Sequence, residues 1–304
     1  MAPPRGVIRT SPSGYAAPAA RFRLSSVRAQ PLRDVGPASP RRSILKDNKG
    51  RTRAVAWTDG KEDWIDVAGT ARFRFVRASR EVTAFVAPGC DRRSVVDTYF
   101  GTVLPLLLQL AVDLEALHGS GVALRDTRVA AFCAESETGK TTLAYALSRR
   151  GYELWADDAV VFDTARLPIV ASIRLPFRIQ LRADAAEHFR TDDELLHDGI
   201  PEEAVWDLDI APRSPLAAVF ICQRASSDPT VETLASGEAL TLAMAHAYRY
   251  RPLTAERNRR MFESYLDLVA NIPIFRASFR PGLGDLDRLL DEIERTLRGV
   301  SAPA

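Results

Sequence analysis

The sequence predicts an α/β fold with a small β subdomain in front of it. Three observations carry this. After residue 118, short apolar strand runs alternate with helical segments. Residues 51–88 show strand alternation only. A loop rich in polar residues joins one apolar strand run to an amphipathic helix around Gly139-Lys140-Thr141.

Residues 1–50 read as a separate basic tail. They hold ten Lys/Arg against two Asp/Glu and seven of the 19 prolines, and no period runs through them apart from Arg21-Phe22-Arg23-Leu24. Such a composition cannot bury enough surface to offset the entropy of ordering. A disordered arm, a docking segment for an acidic partner and an over-extended start are the three readings. The second unit spans 51–304. Within it, Ala54-Val55-Ala56-Trp57, Ala71 to Val76 and Glu81 to Val86 alternate as half-buried strands do. Residues 94–117 form an apolar helix that Pro105 kinks or divides, so 51–117 reads as strands plus a packing helix.

The segment 118–304 is the α/β core. Ser120 to Leu124 and Val129 to Cys133 are strands joined by a turn. A helix follows from Lys140 to Arg150 and stops at Gly151. Leu154 to Ala156 and Ala159 to Phe162 continue the strand pattern. Residues 170–182 look extended, with arginines alternating, and 183–212 are acidic and irregular. Leu216 to Cys222 suits a central strand. Helices at Gly237 to Tyr248 and Glu256 to Ala270, a strand at Pro273 to Phe279 and a helix at Leu286 to Leu297 complete the chain.

Composition narrows the function. The 304 residues are 46% hydrophobic, enough for a full core. The net charge of +2 divides into +8 on residues 1–50 and −6 on the rest, and an acidic body is a poor surface for phosphate backbones, so nucleic acid is not an expected partner. No stretch reaches the ~20 apolar residues of a membrane helix, and no membrane partner is expected. Cys90, Cys133 and Cys222 are odd in number and lack metal-ligand spacing, which fits a reducing cytoplasm.

Ala134-Glu135-Ser136-Glu137-Thr138-Gly139-Lys140-Thr141 fits the Walker A pattern in the form that admits Ala first, with strand before and helix after. In such a loop, backbone N–H groups and the helix N-terminus wrap phosphate oxygens. Lys140 would reach the β and γ phosphates, Thr141 would ligate Mg²⁺, and Thr142 follows on the helix. The other reading is a structural turn with an exposed lysine. Glu135 and Glu137 put two carboxylates beside the expected anion, which costs affinity unless they point to solvent. Seventeen residues past Lys140, Asp157 and Asp158 follow a strand run. There they suit metal binding and proton acceptance, or else a surface turn.

The set Leu117-His118-Gly119, Gly139-Lys140-Thr141-Thr142-Leu143, Arg150-Gly151-Tyr152 and Ala156-Asp157-Asp158 resembles the catalytic domain of HPr kinase/phosphorylase, and most closely its smaller bacterial relatives. The resemblance is strongest over about 115–163. It implies the P-loop fold shared with phosphoenolpyruvate carboxykinases, and ATP- and Mg²⁺-dependent phosphorylation of a serine on a protein or peptide. It implies phosphate and metal roles for Lys140 and Thr141, a general base at Asp157, a metal partner at Asp158 and a place for His118 near the transferring phosphate. Taken alone, His118 is as well a structural histidine. Relatives of that family often form oligomers, which raises a homo-oligomer here. The chain departs from the family at Ala134 and Glu137, where glycines are usual, and lacks the later Glu-Ile-Arg-Gly segment and the N-terminal domain of true HPr kinases.

Arg174, Arg178 and Arg213 are candidates to neutralise phosphate charge, or solvated surface arginines. Trp64, Trp155 and Trp206 are read as core residues ahead of ligand contacts. Two other functions stay open: a nucleotide-binding regulatory module without catalysis, and a kinase for a small-molecule hydroxyl.

Overall fold

The computed structural model describes residues 21–28, 41–46, 50–191, 195–201, 204–249 and 254–300. The fold is mixed α/β, and the described residues form two large sheets of unequal character and a two-stranded ribbon.

The first sheet gathers β1 (Arg21–Arg28), β2 (Arg42–Lys46), β3 (Thr52–Thr58), β4 (Glu62–Val67), β5 (Ala71–Val76) and β6 (Glu81–Val86). β3 to β6 form an antiparallel meander, and β2 extends it on the far side of β3. β1 pairs in parallel with β6 on the opposite edge. The expected tail is therefore corrected: two of its stretches are strands. The Arg21 to Leu24 alternation is sufficient, because Phe22 and Leu24 insert into the core while neighbouring strands supply the backbone partners. Residues 1–20 and 29–40 lie outside the described residues. Strand β4, which the alternation did not mark, has four buried residues of six, so both of its faces are covered.

A continuous helix of 20 residues follows, Arg92–Ala111. It comprises α1 (Arg92–Thr98), a π-helical turn (Tyr99–Val103) and α2 (Leu104–Ala111). Asp91 caps its start by accepting from the Ser94 backbone N–H at 2.9 Å. Pro105, in the first turn of α2, lacks an N–H just where the hydrogen-bond pattern widens to the π form. By length and composition this helix is long and apolar enough to cross a membrane. Here it packs into the core under the first sheet, with Val95, Tyr99, Val103, Leu104 and Leu108 all at 0% exposure. The helix does not run to residue 117 as expected. Asp113 turns the chain at φ 54°, and residues from 115 onward enter a strand. Leu114 to Leu117 are all buried, so no period separated helix from strand there.

The second sheet contains β7 (Glu115–Ala123), β8 (Val129–Cys133), β9 (Glu153–Ala156), β10 (Ala159–Arg166) and β11 (Ile169–Ile173), with α3 (Lys140–Arg149) between β8 and β9. The stretch 170–182, expected to be extended, holds β12 (Arg178–Gln180), and the stretch 183–212, expected to be irregular, holds α4 (Ala183–His188), β13 (Leu195–Asp198) and β14 (Val205–Asp207). β12 and β13 pair with each other, and β14 returns to β1 on the edge of the first sheet. The chain closes with β15 (Arg213–Arg224), β16 (Thr230–Thr233), α5 (Ser236–Ala245), α6 (Ala255–Asn271), β17 (Ile274–Phe279) and α7 (Leu286–Gly299). Strand order is β11-β10-β7-β8-β15-β17-β16, with β9 also on β7 and β11 also on β15. β8, β15 and β17 run parallel, as βα units require. α3 and α7 cover one face of this sheet, while α5 and α6 cover the other.

Candidate functional site

Strand β8 is buried along its whole length and delivers the chain to Ala134, at 0% exposure, beneath the loop. The loop closes through two positive-φ residues, Glu137 at 66° and Gly139 at 111°. Gly139 is the N-cap of α3 and offers no side-chain acceptor, so the first-turn N–H groups of α3 carry no side-chain cap. That leaves the positive end of the helix to an external anion. Lys140 is buried at 9% exposure, and its Nζ donates back to the carbonyls of Ala134 at 3.0 Å and Glu135 at 3.3 Å. Burial lowers its pKa, against the opposing pull of Asp158 and other neighbours.

The loop glutamates stand outside. Glu135, Ser136 and Glu137 are exposed, while Thr138 and Gly139 are half-buried. The Glu137 carboxylate lies 3.7 Å from Arg182, and its backbone carbonyl accepts from Arg224. Glu137 also borders the cavity beside Gly139 and Thr142.

At the end of β9, Asp157 meets the first turn of α3. Thr141 Oγ1 donates to its carboxylate, at 2.9 Å from Oδ1 and 3.2 Å from Oδ2, and Ser120 Oγ donates to Oδ1 at 2.5 Å. Asp158 sits at φ 63°. Its carbonyl accepts from the Gly119 N–H at 3.1 Å and faces His118 Nδ1 at 3.0 Å and Tyr248 Oη at 3.1 Å. A carbonyl can only accept, so His118 carries its proton on Nδ1 and presents Nε2 as a lone pair. Burial, then the nearby Lys140 charge, pull the His118 pKa down to about 4, so the ring is neutral at pH 7. Burial raises both aspartates, and the Asp158 charge adds to the rise at Asp157.

Gly119 shows why glycine follows the histidine. A Cβ there would lie 2.6 Å from the Phe132 carbonyl oxygen, closer than any real contact. The missing side chain lets β7 lie flat against β8 and bring His118 and Ser120 to the loop.

Two cavities flank the start of α3. One, of about 330 Å³, lies beside Gly139 and Thr142 and is bordered by Arg182, Arg224 and Phe279. The other, of about 250 Å³, is floored by Thr141, Asp157 and Asp158 and includes Arg178.

No family model matches this chain. No curated protein matches either. Among solved structures, the Hpr(Ser) kinase/phosphatase from Coxiella burnetii is similar at a TM-score of 0.32 and 12% identity, over 60% of this chain and 93% of that one. So weak a likeness carries no functional weight, and the reading of the site rests on its own geometry.

The structure brings Ala134 to Thr142, His118, Asp157, Asp158 and Arg178 to one place. It does not bring Arg174 or Arg213 there. Arg174 is held by Glu153 at 2.6 Å and the Leu154 carbonyl at 2.8 Å, over the Trp155 ring, and Arg213 pairs with Asp163 at 3.1 Å. Trp64, Trp155 and Trp206 are each 6% exposed and pack in the interior. Four neighbours escaped the sequence reading: Ser120, His246, Tyr248 and Gly101. His246 and Tyr248 arrive because Ala247 bridges Leu117 across 130 residues of chain, which no local spacing announces.

Among the described residues, no three His, Cys, Asp or Glu side chains converge as a metal cage. Thr141 with the two aspartates is an all-oxygen set, which fits Mg²⁺ completed by phosphate and water.

Proposed function

We propose that the protein transfers the γ-phosphoryl group of ATP, with Mg²⁺, to a serine hydroxyl of a protein or peptide. The observation that carries this reading is the hydrogen bond from Thr141 on α3 to Asp157 at the end of β9, beside a lysine folded over the loop. That pairing of a helix-start hydroxyl with a strand-end carboxylate is what a nucleotide-bound metal needs. Bound Mg²⁺ would neutralise phosphate charge between Thr141 and Asp157.

The hydrogen bonds favour exchanging the roles expected for the two aspartates. Asp157 already shares Thr141, so it suits the metal side. Both aspartates border the 250 Å³ cavity, and with Asp157 on the metal side Asp158 is left for the base. In this reading the loop N–H groups and Lys140 hold the β and γ phosphates, and the nucleoside lies in the 330 Å³ cavity beside Gly139 and Thr142. The acceptor hydroxyl enters the second cavity and gives its proton to Asp158. Its oxygen bonds to the γ phosphorus as the bond to the β–γ bridging oxygen breaks, releasing ADP.

A small-molecule alcohol is a second acceptor class, favoured by one observation. The acceptor cavity, at about 250 Å³, is smaller than the ~300–1,000 Å³ of most ligand sites. It suits a single side chain or a compact alcohol.

The test is calorimetry of Mg·ATP with wild type, Lys140→Ala and Asp157→Asn, followed by mass spectrometry for phosphoserine in a peptide library. Wild type is expected to bind. Losing Lys140 removes charge-assisted contacts to two phosphates, each worth about 1.5–3 kcal/mol, hence at least a 100-fold weakening. A wild-type protein that binds no nucleotide overturns the reading.

A further inference from the structure

Asp158 lies on the turn between β9 and β10 and borders the acceptor-side cavity. The elements around it desolvate the carboxyl enough to raise its pKa, yet the residue keeps an exposed surface. Among the described residues, nothing donates a hydrogen bond to its carboxylate. What fixes this aspartate acts on its main chain. Its φ of 63° is a left-handed conformation that residues with a side chain adopt rarely. Such a conformation persists where the surroundings over-determine it.

Three donors supply that constraint at one carbonyl. The Gly119 N–H lies 3.1 Å from the Asp158 oxygen, His118 Nδ1 3.0 Å and Tyr248 Oη 3.1 Å. Tyr248 is itself tied down, since its N–H donates to the Ala116 carbonyl at 2.9 Å beside the Leu117–Ala247 bridge. Its hydroxyl also lies 2.8 Å from the Gly101 carbonyl, in the π-helical turn. Burial keeps the phenol protonated, so one proton serves both carbonyls and joins the turn to the aspartate. Gly101 touches the aspartate a second time. A Cβ there would lie 3.2 Å from Asp158 Oδ2, tighter than ordinary contact, so the carboxylate packs on a bare α-carbon. π turns recur at functional sites, and here the widened turn supplies both contacts.

We propose that Tyr248 and Gly101 are positioning residues for Asp158. The tyrosine hydroxyl locks the aspartate main chain to the π turn, and the missing side chain of Gly101 leaves the carboxylate its place. The inference rests on the phosphoryl-transfer reading above, which gives Asp158 the acceptor's proton. A carboxylate with no hydrogen-bond donor of its own is aimed only by its backbone and by what it packs on. An error of about 1 Å in such a group can cost about 100-fold in rate. The helix under the first sheet thereby sets the geometry of a base carried by the second.

The experiment follows ADP release from radiolabelled Mg·ATP with water as the acceptor. In that reaction a water gives its proton to Asp158, its oxygen bonds to the γ phosphorus, and the bond to the β–γ bridging oxygen breaks. Asp158→Asn is expected to lower kcat by about 100-fold or more. Tyr248→Phe and Gly101→Ala should each lower kcat by about 10-fold or more, with KM for Mg·ATP within about twofold of wild type. Added to Asp158→Asn, each should change kcat by less than about twofold, because no base is left to position. If either lowers kcat by the same factor with and without Asp158→Asn, or raises KM in step, the positioning role is wrong. A wild type that binds Mg·ATP but releases no ADP also overturns it, since the accessible carboxylate then activates nothing. If wild type binds no Mg·ATP, the phosphoryl-transfer reading itself fails and this inference falls with it.

Discussion

Replacing Phe22 by alanine tests whether the strand it sits on belongs to the folded unit. Phe22 is 0% exposed. Its ring stacks on Phe75 at 6.2 Å and 16°, and meets Trp206 at 6.0 Å and 45°. The Arg80 guanidinium lies 5.8 Å over its face. Truncating a buried Phe costs about 3–5 kcal/mol. Two ring contacts, each adding about 0.5–1.5 kcal/mol beyond area, place the expectation in the upper half of that range, near 4 kcal/mol. That is a large share of the roughly 5–15 kcal/mol that holds a domain together. In urea, with a slope of about 2 kcal/mol per molar, the midpoint should fall by about 2 M. Arg23→Ala, on the exposed side of the same strand, should stay within about 0.5 kcal/mol. A loss below about 1 kcal/mol for Phe22→Ala would mean that the strand does not pack, and that residues 21–28 behave as the tail their composition suggests.

Three further perturbations follow from the same geometry. Gly119→Ala drives a Cβ to 2.6 Å from the Phe132 carbonyl, so β7 must part from β8; the variant should be destabilised by about 2 kcal/mol or more and lose nucleotide affinity, read by thermal melting and calorimetry. His118 and His246 are both held neutral, with burial pulling each to about 4, helped by Lys140 at His118 and by His118 at His246. The unfolded chain, with histidine near 6.5, takes up protons first as the pH falls, so their stabilisation is complete above about 6.5 and is lost between about 6.5 and 4, by up to about 3 kcal/mol for each. Asp157, Asp158 and Glu115 are raised and work in the opposite sense, so the measurement is the difference between wild type and His118→Gln/His246→Gln across that window; no difference would refute it. Arg257→Met strips the buried Glu115 of a partner at 2.6 Å. It should cost about 3–5 kcal/mol at pH 8. The cost should be clearly less at pH 5, where Glu115, already lifted to about 7 by burial, is protonated.

Much of the α/β core from residue 118 onward was legible because its signals are local. Val129 to Cys133, the loop and the helix from Lys140 are contiguous, and the observed helix ends at Arg149 with Gly151 at φ 94° beyond it. Asp157 and Asp158 were legible for the same reason: they close a short strand soon after. The first sheet was half visible. Its meander alternates, but β1 and β2 sit in a proline- and arginine-rich stretch whose average hides the buried Phe22 and Leu24 and the half-buried Ile44. β14 pairs Trp206 with Phe22 across more than half of the chain, and only the fold brings them together. The arginines show the limit most sharply. Arg174, Arg178 and Arg213 look alike in sequence. What separates them is the identity of the nearest carboxylate: Glu153 and Asp163 hold two of them away, while Asp97 holds the third against the cavity.

The helix Arg92–Ala111 explains why this chain needs two sheets for one site. A packing helix that served only the first sheet would need one apolar stripe, about a third of its surface. This one buries nearly every residue from Tyr99 to Gln109, because the first sheet covers one side and β7, β10 and the loop before β12 cover others. Even the buried polar group in it is used: Gln109 Nε2 donates to Glu115 at 3.0 Å and to the Tyr248 carbonyl at 2.6 Å. Arg257 Nε in turn donates to the Gln109 carbonyl at 2.7 Å. The helix is thereby tied to α6 and to the segment that carries Tyr248. Its widened turn carries Gly101 against the Asp158 carboxylate, where a Cβ would come to 3.2 Å from Oδ2. A helix so enclosed cannot shift by a turn without disturbing the Asp97–Arg178 bond and the Tyr248 bridge together. Its apolar length is what burial from several sides requires, and the same enclosure holds one wall of the cavity at a fixed distance from the aspartates.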